Sequence, residues 1–163
     1  VELGLQTAHD STARLINRGH DFAEFVRGFE TARNAGLRIC VHIINGLPGE
    51  TPEMMEQTAE ILGGMRPDGV KIHLLHVIKN TTLAGLWESG KYQPMERDDY
   101  IGTVVRQLEL LPPETVIERL TGDGGRDSLL APLWSLDKRA VLGGIMKRQK
   151  QLDSVQGLRF QEG

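Results

Sequence analysis

The sequence predicts an α/β fold in which parallel strands alternate with helices. Short runs with strand-like patterning alternate with longer runs in which apolar residues recur every three or four positions. The turn GLPGET at residues 46–51 follows an apolar run. Its last residue, Thr51, forms with Pro52 a pair that is typical of the start of a helix. With 163 residues, the chain is long enough to form one domain with a substantial core.

The first predicted strand covers residues 1–7. Its alternation places Leu3 and Leu5 on one face. The opposite face holds polar or small residues, namely Glu2, Gly4 and Gln6. A helix is predicted at residues 21–34, with Gly36 as its stop. The apolar residues that give this helix its spacing are Phe22, Phe25, Val26 and Phe29.

The second predicted strand covers residues 38–45 and is nearly continuous in apolar residues, as expected of a buried parallel strand. One of its faces holds Cys40, His42 and Ile44. After the GLPGET turn, Thr51 is predicted to cap a helix that begins at Pro52 and runs to residue 65.

The third predicted strand covers residues 69–78, and its pattern leaves open which face points inward. One face holds Lys71, His73 and Leu75, and the other holds Ile72, Leu74 and His76. The later elements are a short excursion at 82–90, a helix at 98–111 ended by Pro112 and Pro113, a strand at 115–120, a Gly-rich loop (TGDGGRD) and a basic helix at 138–152.

Composition excludes several classes of protein. Hydrophobic residues make up 39% and charged residues 25%, without an apolar run long enough to cross a bilayer. The net charge of −3 provides no basic footprint for nucleic acid. The one cysteine, Cys40, excludes a disulfide framework or a cysteine-built cluster within this chain. We therefore expect a cytoplasmic protein without a membrane partner, and the start at Val1 inside a strand-like run suggests a fragment.

An ordered set of short motifs changes the interpretation. ELGLQT, NRGH, HIINGLPGET and KIHLLHV, at these separations, resemble radical S-adenosylmethionine (SAM) enzymes of the Elongator catalytic subunit, MiaB and coproporphyrinogen-dehydrogenase type. The continuation through RLTGD, LAPLW and DSVQG is similar to a bacterial radical SAM group described as Fe–S oxidoreductases. The resemblance covers essentially the whole chain.

This resemblance implies the C-terminal half of a partial (β/α)6 barrel of TIM type. Residues 1–120 would supply strand four onward, and residues 121–163 a helical C-terminal extension. In this family a CxxxCxxC motif in the N-terminal half holds a [4Fe–4S] cluster that binds and cleaves SAM to a 5′-deoxyadenosyl radical. The resemblance therefore implies that this chain contributes part of the SAM site, without the cluster ligands. The resemblance leaves the substrate unknown. Because related enzymes modify tRNA, tRNA is the candidate that the resemblance offers, although the net charge gives it no support.

The resemblance also implies cofactor-binding residues. Gln6, at the end of the first strand, would contact the ribose of SAM, and Arg18 its methionyl carboxylate, for which a planar guanidinium is suited. His42 would contact the ribose, while Ile44 and Leu47 would border the adenine. The simpler interpretations are a buried amide for Gln6, a surface arginine for Arg18, as expected for Arg14, and a core histidine for His42. No catalytic residue is assigned.

Other polar residues are predicted near the same site without a role, namely Lys71, His73, Glu118, Arg119 and Asp123. Two other functions stay open at this point. One is an aldolase or isomerase barrel fragment, for which Lys71 is a weak Schiff-base candidate. The other is a non-catalytic binding module. A half-barrel would also expose the edge of its first strand, from which we expect the fragment to self-associate.

Overall fold

The computed structural model describes residues 1–122 and 124–161. Its strands are β1 (Glu2–Gln6), β2 (Cys40–Asn45), β3 (Gly69–Leu74), β4 (Val77–Ile78), β5 (Val116–Arg119) and β6 (Leu129–Ala131). Its helices are α1 (Asp10–Leu15), α2 (Phe22–Asn34), α3 (Pro52–Met65), α4 (Thr82–Glu88), α5 (Arg97–Leu110) and α6 (Lys138–Leu152), with a short 3₁₀ helix at Leu133–Leu136. Four strands form a parallel sheet in the order β1-β2-β3-β5. The predicted architecture, a partial barrel of parallel strands alternating with helices, is confirmed.

The parallel sheet has one apolar face and one polar face. The apolar face packs into the main core with side chains from α2, α3, α5 and α6. Its fully buried members include Leu5, Val41, Ile43, Val70 and Ile72. We call the other side the polar face, and it carries Glu2, Gly4, Cys40, His42, Ile44, Lys71, His73 and Glu118.

Strand register decides the orientation of β3, which periodicity left open. His42 lies beside Lys71 and Ile44 beside His73, so these β3 residues share the polar face with β2. Ile72 belongs to the apolar core. The pattern of β3 alone does not distinguish these arrangements, because both of its faces mix polar and apolar side chains.

The predicted helix starts and ends are largely confirmed. The Asp21 carboxylate accepts a hydrogen bond from Glu24 N at 2.8 Å and caps α2. Thr51 accepts from Met54 N at 3.4 Å, and Pro52 occupies the first turn of α3. The basic helix at 138–152 is present as α6, with Asp137 as its cap.

The prediction of one strand at 69–78 is wrong beyond Leu74. Leu75 N donates to Asn45 O, and there β2 ends because the chain turns at Gly46, whose φ is +84°. Without a neighbouring strand the ladder cannot continue, and β4 instead pairs antiparallel with β6. Val77 lies in a second small core with Ala84, Tyr92 and Ala131.

Some elements were not predicted from the sequence. Helix α1 has six residues and no apolar periodicity, and its cap residue His9 makes no side-chain capping bond. The excursion at 82–90 is the helix α4, which Thr81 caps by accepting from Ala84 N at 3.2 Å. After α6 the chain returns to α5, where Gly157 N donates to Leu108 O at 3.0 Å. The domain boundary after residue 120 stays a prediction.

Candidate cofactor-binding site

The candidate site lies where β1 and β2 end side by side, because neighbouring parallel strands present their carboxyl ends at the same edge. Two segments build it, the loop after β1 and the GLPGET turn after β2. Both segments contain residues of the motifs ELGLQT, NRGH and GLPGET.

Gln6 occupies an unusual backbone position at the end of β1. Its φ is +58°, in the left-handed region, and the register between β1 and β2 shifts between Gly4 and Gln6. A Cβ atom on Gly4 would lie 2.5 Å from Nε2 of Gln6. Gly4 therefore leaves the space that the Gln6 amide fills. Both residues belong to the motif ELGLQT, but its pattern did not reveal this role of Gly4.

Arg18 contacts Gln6 directly. Its Nε donates to Oε1 of Gln6, and Nη2 donates to the carbonyl oxygen of Gly4. Burial lowers the pKa of the guanidinium, and Asp10 opposes that effect. The Nη1 atom is buried without a hydrogen-bond partner among the described residues. The structure thus brings Arg18 against Gln6, two residues that were singled out separately in the sequence, whereas Arg14 is exposed.

A hydrogen bond from Thr7 to Glu50 joins the two segments of the site. The Thr7 hydroxyl donates to Oε1 of Glu50, the acidic residue of GLPGET. Burial raises the pKa of Glu50, and this effect is partly offset by hydrogen bonds from Thr7 and Thr12 and by the charge of His9, which lower the pKa. Sequence reasoning missed this pair, although both residues lie in the quoted motifs. It fixes the end of β1 relative to the start of α3.

His42 lies among charged residues on the polar face. Its Nε2 is 2.8 Å from Oε2 of Glu2, although the two groups are not aligned as a hydrogen bond, and its ring centroid is 5.2 Å from that of His73. Lys71 contacts the other oxygen of Glu2 and lies 3.5 Å from Oε2 of Glu118. His42 is therefore part of a polar array.

The remaining predicted contacts occupy two places. Ile44 is half-buried on the polar face, two residues along β2 from His42. Leu47 is buried in the turn and lines a cavity of about 210 Å³ with Tyr92 and Met95. The Tyr92 hydroxyl donates to Gly46 O at 2.8 Å and braces this turn. The lining of that cavity does not include Gln6, Arg18, His42 or Ile44.

Two further histidines lie at the carboxyl end of β3. Burial, together with the nearby charges of His42, Arg119 and Lys71, lowers the pKa of His73 to about 4. Burial also lowers the pKa of His76, which lies just beyond the strand. Asp123, predicted in the same region, lies outside the described residues.

The described residues offer a contact for a carboxylate ligand but no set of ligands for an iron–sulfur cluster. The buried, unpartnered nitrogen of Arg18 matches a carboxylate. Cys40 is buried, and burial with the nearby Glu118 raises the pKa of its thiol to about 11, which opposes the thiolate form that iron requires. Within residues 1–122 and 124–161, His, Cys, Asp and Glu form no group of three that could hold a metal.

Lys71 does not have the character of a Schiff-base nucleophile. Its hydrogen bond to Glu2 raises the pKa of the ammonium group, and the charge of Glu118 adds to that effect. Such a lysine requires a lowered pKa, because only the neutral amine attacks a carbonyl. Across the described part of the chain, no helix is long and apolar enough to span a membrane.

The chain matches two family models. The model described as Radical SAM superfamily matches residues 1–62, and the model described as Radical_SAM C-terminal domain matches residues 67–151. Together they extend from β1 through nearly all of α6.

Curated relatives agree with these matches. The chain is 47% identical over 161 residues to YtqA of Bacillus subtilis, covering 99% of this chain and 50% of that protein. It is 45% identical over 134 residues to YhcC of Escherichia coli, covering 82% and 43%. It is 34% identical over 126 residues to Elongator complex protein 3 of Homo sapiens, covering 76% and 23%. The chain therefore spans half or less of the length of these relatives.

A solved structure has the same fold. The archaeal Elp3 of Methanocaldococcus infernus matches with a TM-score of 0.86 and 22% identity, over 96% of this chain and 37% of that chain. At this identity the likeness establishes the arrangement of strands and helices.

Proposed function

The chain belongs to the radical SAM superfamily, and on that premise we propose that it forms part of the SAM site of an enzyme that cleaves SAM with a [4Fe–4S] cluster. One observation carries this proposal: Arg18 is held by Gln6 and Gly4 with its Nη1 atom buried and unpartnered among the described residues. A charged ligand at this nitrogen would remove the cost of leaving a buried donor unsatisfied.

Each predicted residue has a binding role in the proposal. Arg18 binds the methionyl carboxylate of SAM, and Gln6 orients the guanidinium while its amide contacts the ribose. His42 binds a ribose hydroxyl from the polar face, and Ile44 packs on the adenine. Leu47, in the turn braced by Tyr92, borders the adenine side of the pocket. None of these residues acts as an acid or base.

When bound, SAM and a reduced cluster would supply the chemistry for hydrogen-atom abstraction from the substrate, with the electron coming from the cluster, while Arg18, Gln6 and His42 would hold SAM. The cluster ligands belong to the part of the enzyme outside this chain, since Cys40 is buried and its thiol has a raised pKa. The contribution of this chain is to hold SAM in one orientation and to exclude water from it.

We extend the proposal to the substrate and the cellular setting. tRNA is the proposed macromolecular substrate of the complete enzyme, and the cytoplasm its proposed location. Membership in a superfamily does not carry the substrate from one member to another. The tRNA proposal therefore needs a direct assay, for which total tRNA from cells lacking the gene is the substrate to use.

The experiment compares Arg18→Ala with Arg14→Ala in the complete protein after anaerobic cluster reconstitution. Loss of the charge-assisted contact of Arg18 with the SAM carboxylate should cost about 2–4 kcal/mol, roughly a 30- to 1000-fold loss of SAM affinity. Arg14 is exposed, and its replacement should change SAM affinity by about half a kcal/mol or less.

Isothermal titration with SAM and the rate of 5′-deoxyadenosine formation provide two readouts. Equal SAM affinity of both variants and the parent would remove Arg18 from the pocket. A parent protein that neither binds nor cleaves SAM would refute the proposed function as a whole.

A further inference from the structure

Buried polar atoms without partners are concentrated at one side of the molecule. Within the described residues, the buried side-chain nitrogen and oxygen atoms that lack a hydrogen-bond partner are Arg18 Nη1, His42 Nε2, His73 Nε2, His76 Nε2 and Ser154 Oγ. All but the last belong to the polar face or to loops at its carboxyl edge. Buried polar groups are nearly always satisfied in folded proteins, so this concentration indicates ligands at this face.

The proposed SAM contacts account for two of these atoms. Arg18 Nη1 would meet the carboxylate of SAM, and His42, whose Nε2 already lies beside Glu2, would meet its ribose. Within the described residues, the Nε2 atoms of His73 and His76 remain without a hydrogen-bond partner. His73 lies on β3, one strand further from β1, and His76 lies just beyond the end of that strand. A second ligand at this face would satisfy them.

We propose that His73 and His76 bind the substrate, and that they receive an uncharged hydrogen-bonding group of it rather than a phosphate or a carboxylate. This inference rests on the proposed function, because it assigns the other ligand at the polar face to SAM. In this arrangement, the two imidazoles present Nε2 atoms to the substrate from the strand next to the SAM residues.

Each of the two rings packs against a defined neighbour. His73 is stacked on His42 with an angle of 30° between the rings, which places it beside a proposed SAM contact. His76 packs against Gly122, where an added Cβ would lie 2.7 Å from its Cε1 atom. Gly122 therefore permits the close approach of the loop that follows β5 and holds the His76 ring in place.

Charge balance at the polar face argues for an uncharged group. Glu2 and Glu118 balance the positive charges of Lys71 and Arg119, which lie side by side on β3 and β5, and the Lys71 ammonium group contacts both carboxylates. Burial keeps His73 neutral at physiological pH, since its pKa is lowered to about 4. A neutral imidazole offers one donor and one acceptor, which complements an amide, imide or hydroxyl and adds no positive charge for an anion.

The test uses the complete, cluster-reconstituted protein with His73→Leu, His76→Leu and the conservative His73→Gln. The control is Gln57→Leu, which removes an exposed polar side chain from α3. Far-UV circular dichroism and the iron content after reconstitution should match the parent in all four variants, which shows that each is folded. Affinity for SAM is measured for each variant, so that a loss of SAM binding is distinguished from a loss of the response to the probe. The probe is total tRNA from cells lacking the gene, and the low-molecular-mass fraction of the same cells serves as a second probe.

We expect the probe-dependent increase in 5′-deoxyadenosine to fall about tenfold or more in both Leu variants, as for loss of a buried hydrogen bond. His73→Gln should keep part of the increase, and Gln57→Leu all of it. A separate titration with inorganic phosphate, followed by the side-chain ¹⁵N resonances of the histidines, should leave His73 and His76 unmoved.

Two results would overturn the inference. One is an equal response of the parent and both Leu variants to whichever fraction stimulates the parent, and the other is saturable binding of phosphate at His73 and His76. If tRNA does not stimulate the parent but the low-molecular-mass fraction does, the tRNA proposal fails. The responses of the His73 and His76 variants are then compared with the parent using that fraction. If the parent cleaves no SAM, the proposed function fails, and the phosphate titration still decides whether these histidines favour an uncharged group.

Discussion

At the scale of single residues, Glu50 is the group whose environment has the clearest consequence for stability. It is half-buried and accepts a hydrogen bond from Thr7. Burial is the largest effect on it and raises its pKa in the folded state. Because the folded protein then holds the proton more tightly than the unfolded chain, ionisation of Glu50 lowers stability as the pH rises through its folded pKa.

This predicts a pH-dependent effect of Glu50→Gln. The amide cannot ionise and still pairs with Thr7, so the variant should gain stability relative to the parent as the pH rises from about 4 toward 7. Urea denaturation of this chain across that range measures the effect, with the exposed Glu60→Gln as control. A constant difference between variant and parent over the range would contradict the assigned burial of Glu50.

At the scale of elements, the irregular end of β1 shapes the candidate site. A regular strand would continue its register with β2, but the shift between Gly4 and Gln6 and the left-handed φ of Gln6 turn the chain there. The amide of Gln6 then contacts Arg18, which follows α1 in the sequence. The strand end, rather than any helix, determines the geometry of this pair.

We therefore expect Gly4→Ala to weaken SAM binding without unfolding the protein. The new Cβ would displace the flexible Gln6 amide rather than backbone, so the change should disturb the contact with Arg18 at little cost in stability. The control is Gly28→Ala on the exposed side of α2, where a Cβ meets nothing within 4 Å. That change should leave SAM affinity unaltered and raise stability by about 0.5–1 kcal/mol. Unchanged SAM affinity in Gly4→Ala would show that the Gln6 position does not matter for binding.

At the scale of the whole molecule, the parallel sheet ends at β1 and β5. Within the described residues, β1 pairs with β2 along one edge only. Along its other edge Gly4 O accepts from Arg18, and the remaining backbone groups are available for pairing with a further strand. Exposed strand edges promote association between chains.

We predict that this chain self-associates at high micromolar concentration through the β1 edge. Sedimentation velocity over a dilution series should show a shift from dimer or larger species to monomer. The complete protein, in which the N-terminal half would pair with β1, should show a weaker concentration dependence and serves as the control. A chain that stays monomeric throughout the dilution series would contradict association through the β1 edge.

Local patterns determined much of this protein. The apolar spacing of α2, the Thr-Pro start of α3 and the span of α6 are properties of neighbouring residues, and each is present where the sequence predicts it. The motif order was also sufficient to indicate the superfamily, which the family models confirm. Because the roles of Gln6, Arg18, His42, Ile44 and Leu47 were implied by resemblance, they stay predictions.

Only the tertiary structure decided which groups meet. The face of β3, its end at Leu74 and the bond between Thr7 and Glu50 depend on where β2 stops and how its register aligns with its neighbours. Thr7 and Glu50 are 43 positions apart, a separation at which no local periodicity specifies contact. Helices and strands follow from interactions along the chain, whereas a site between loops depends on packing that brings distant segments together.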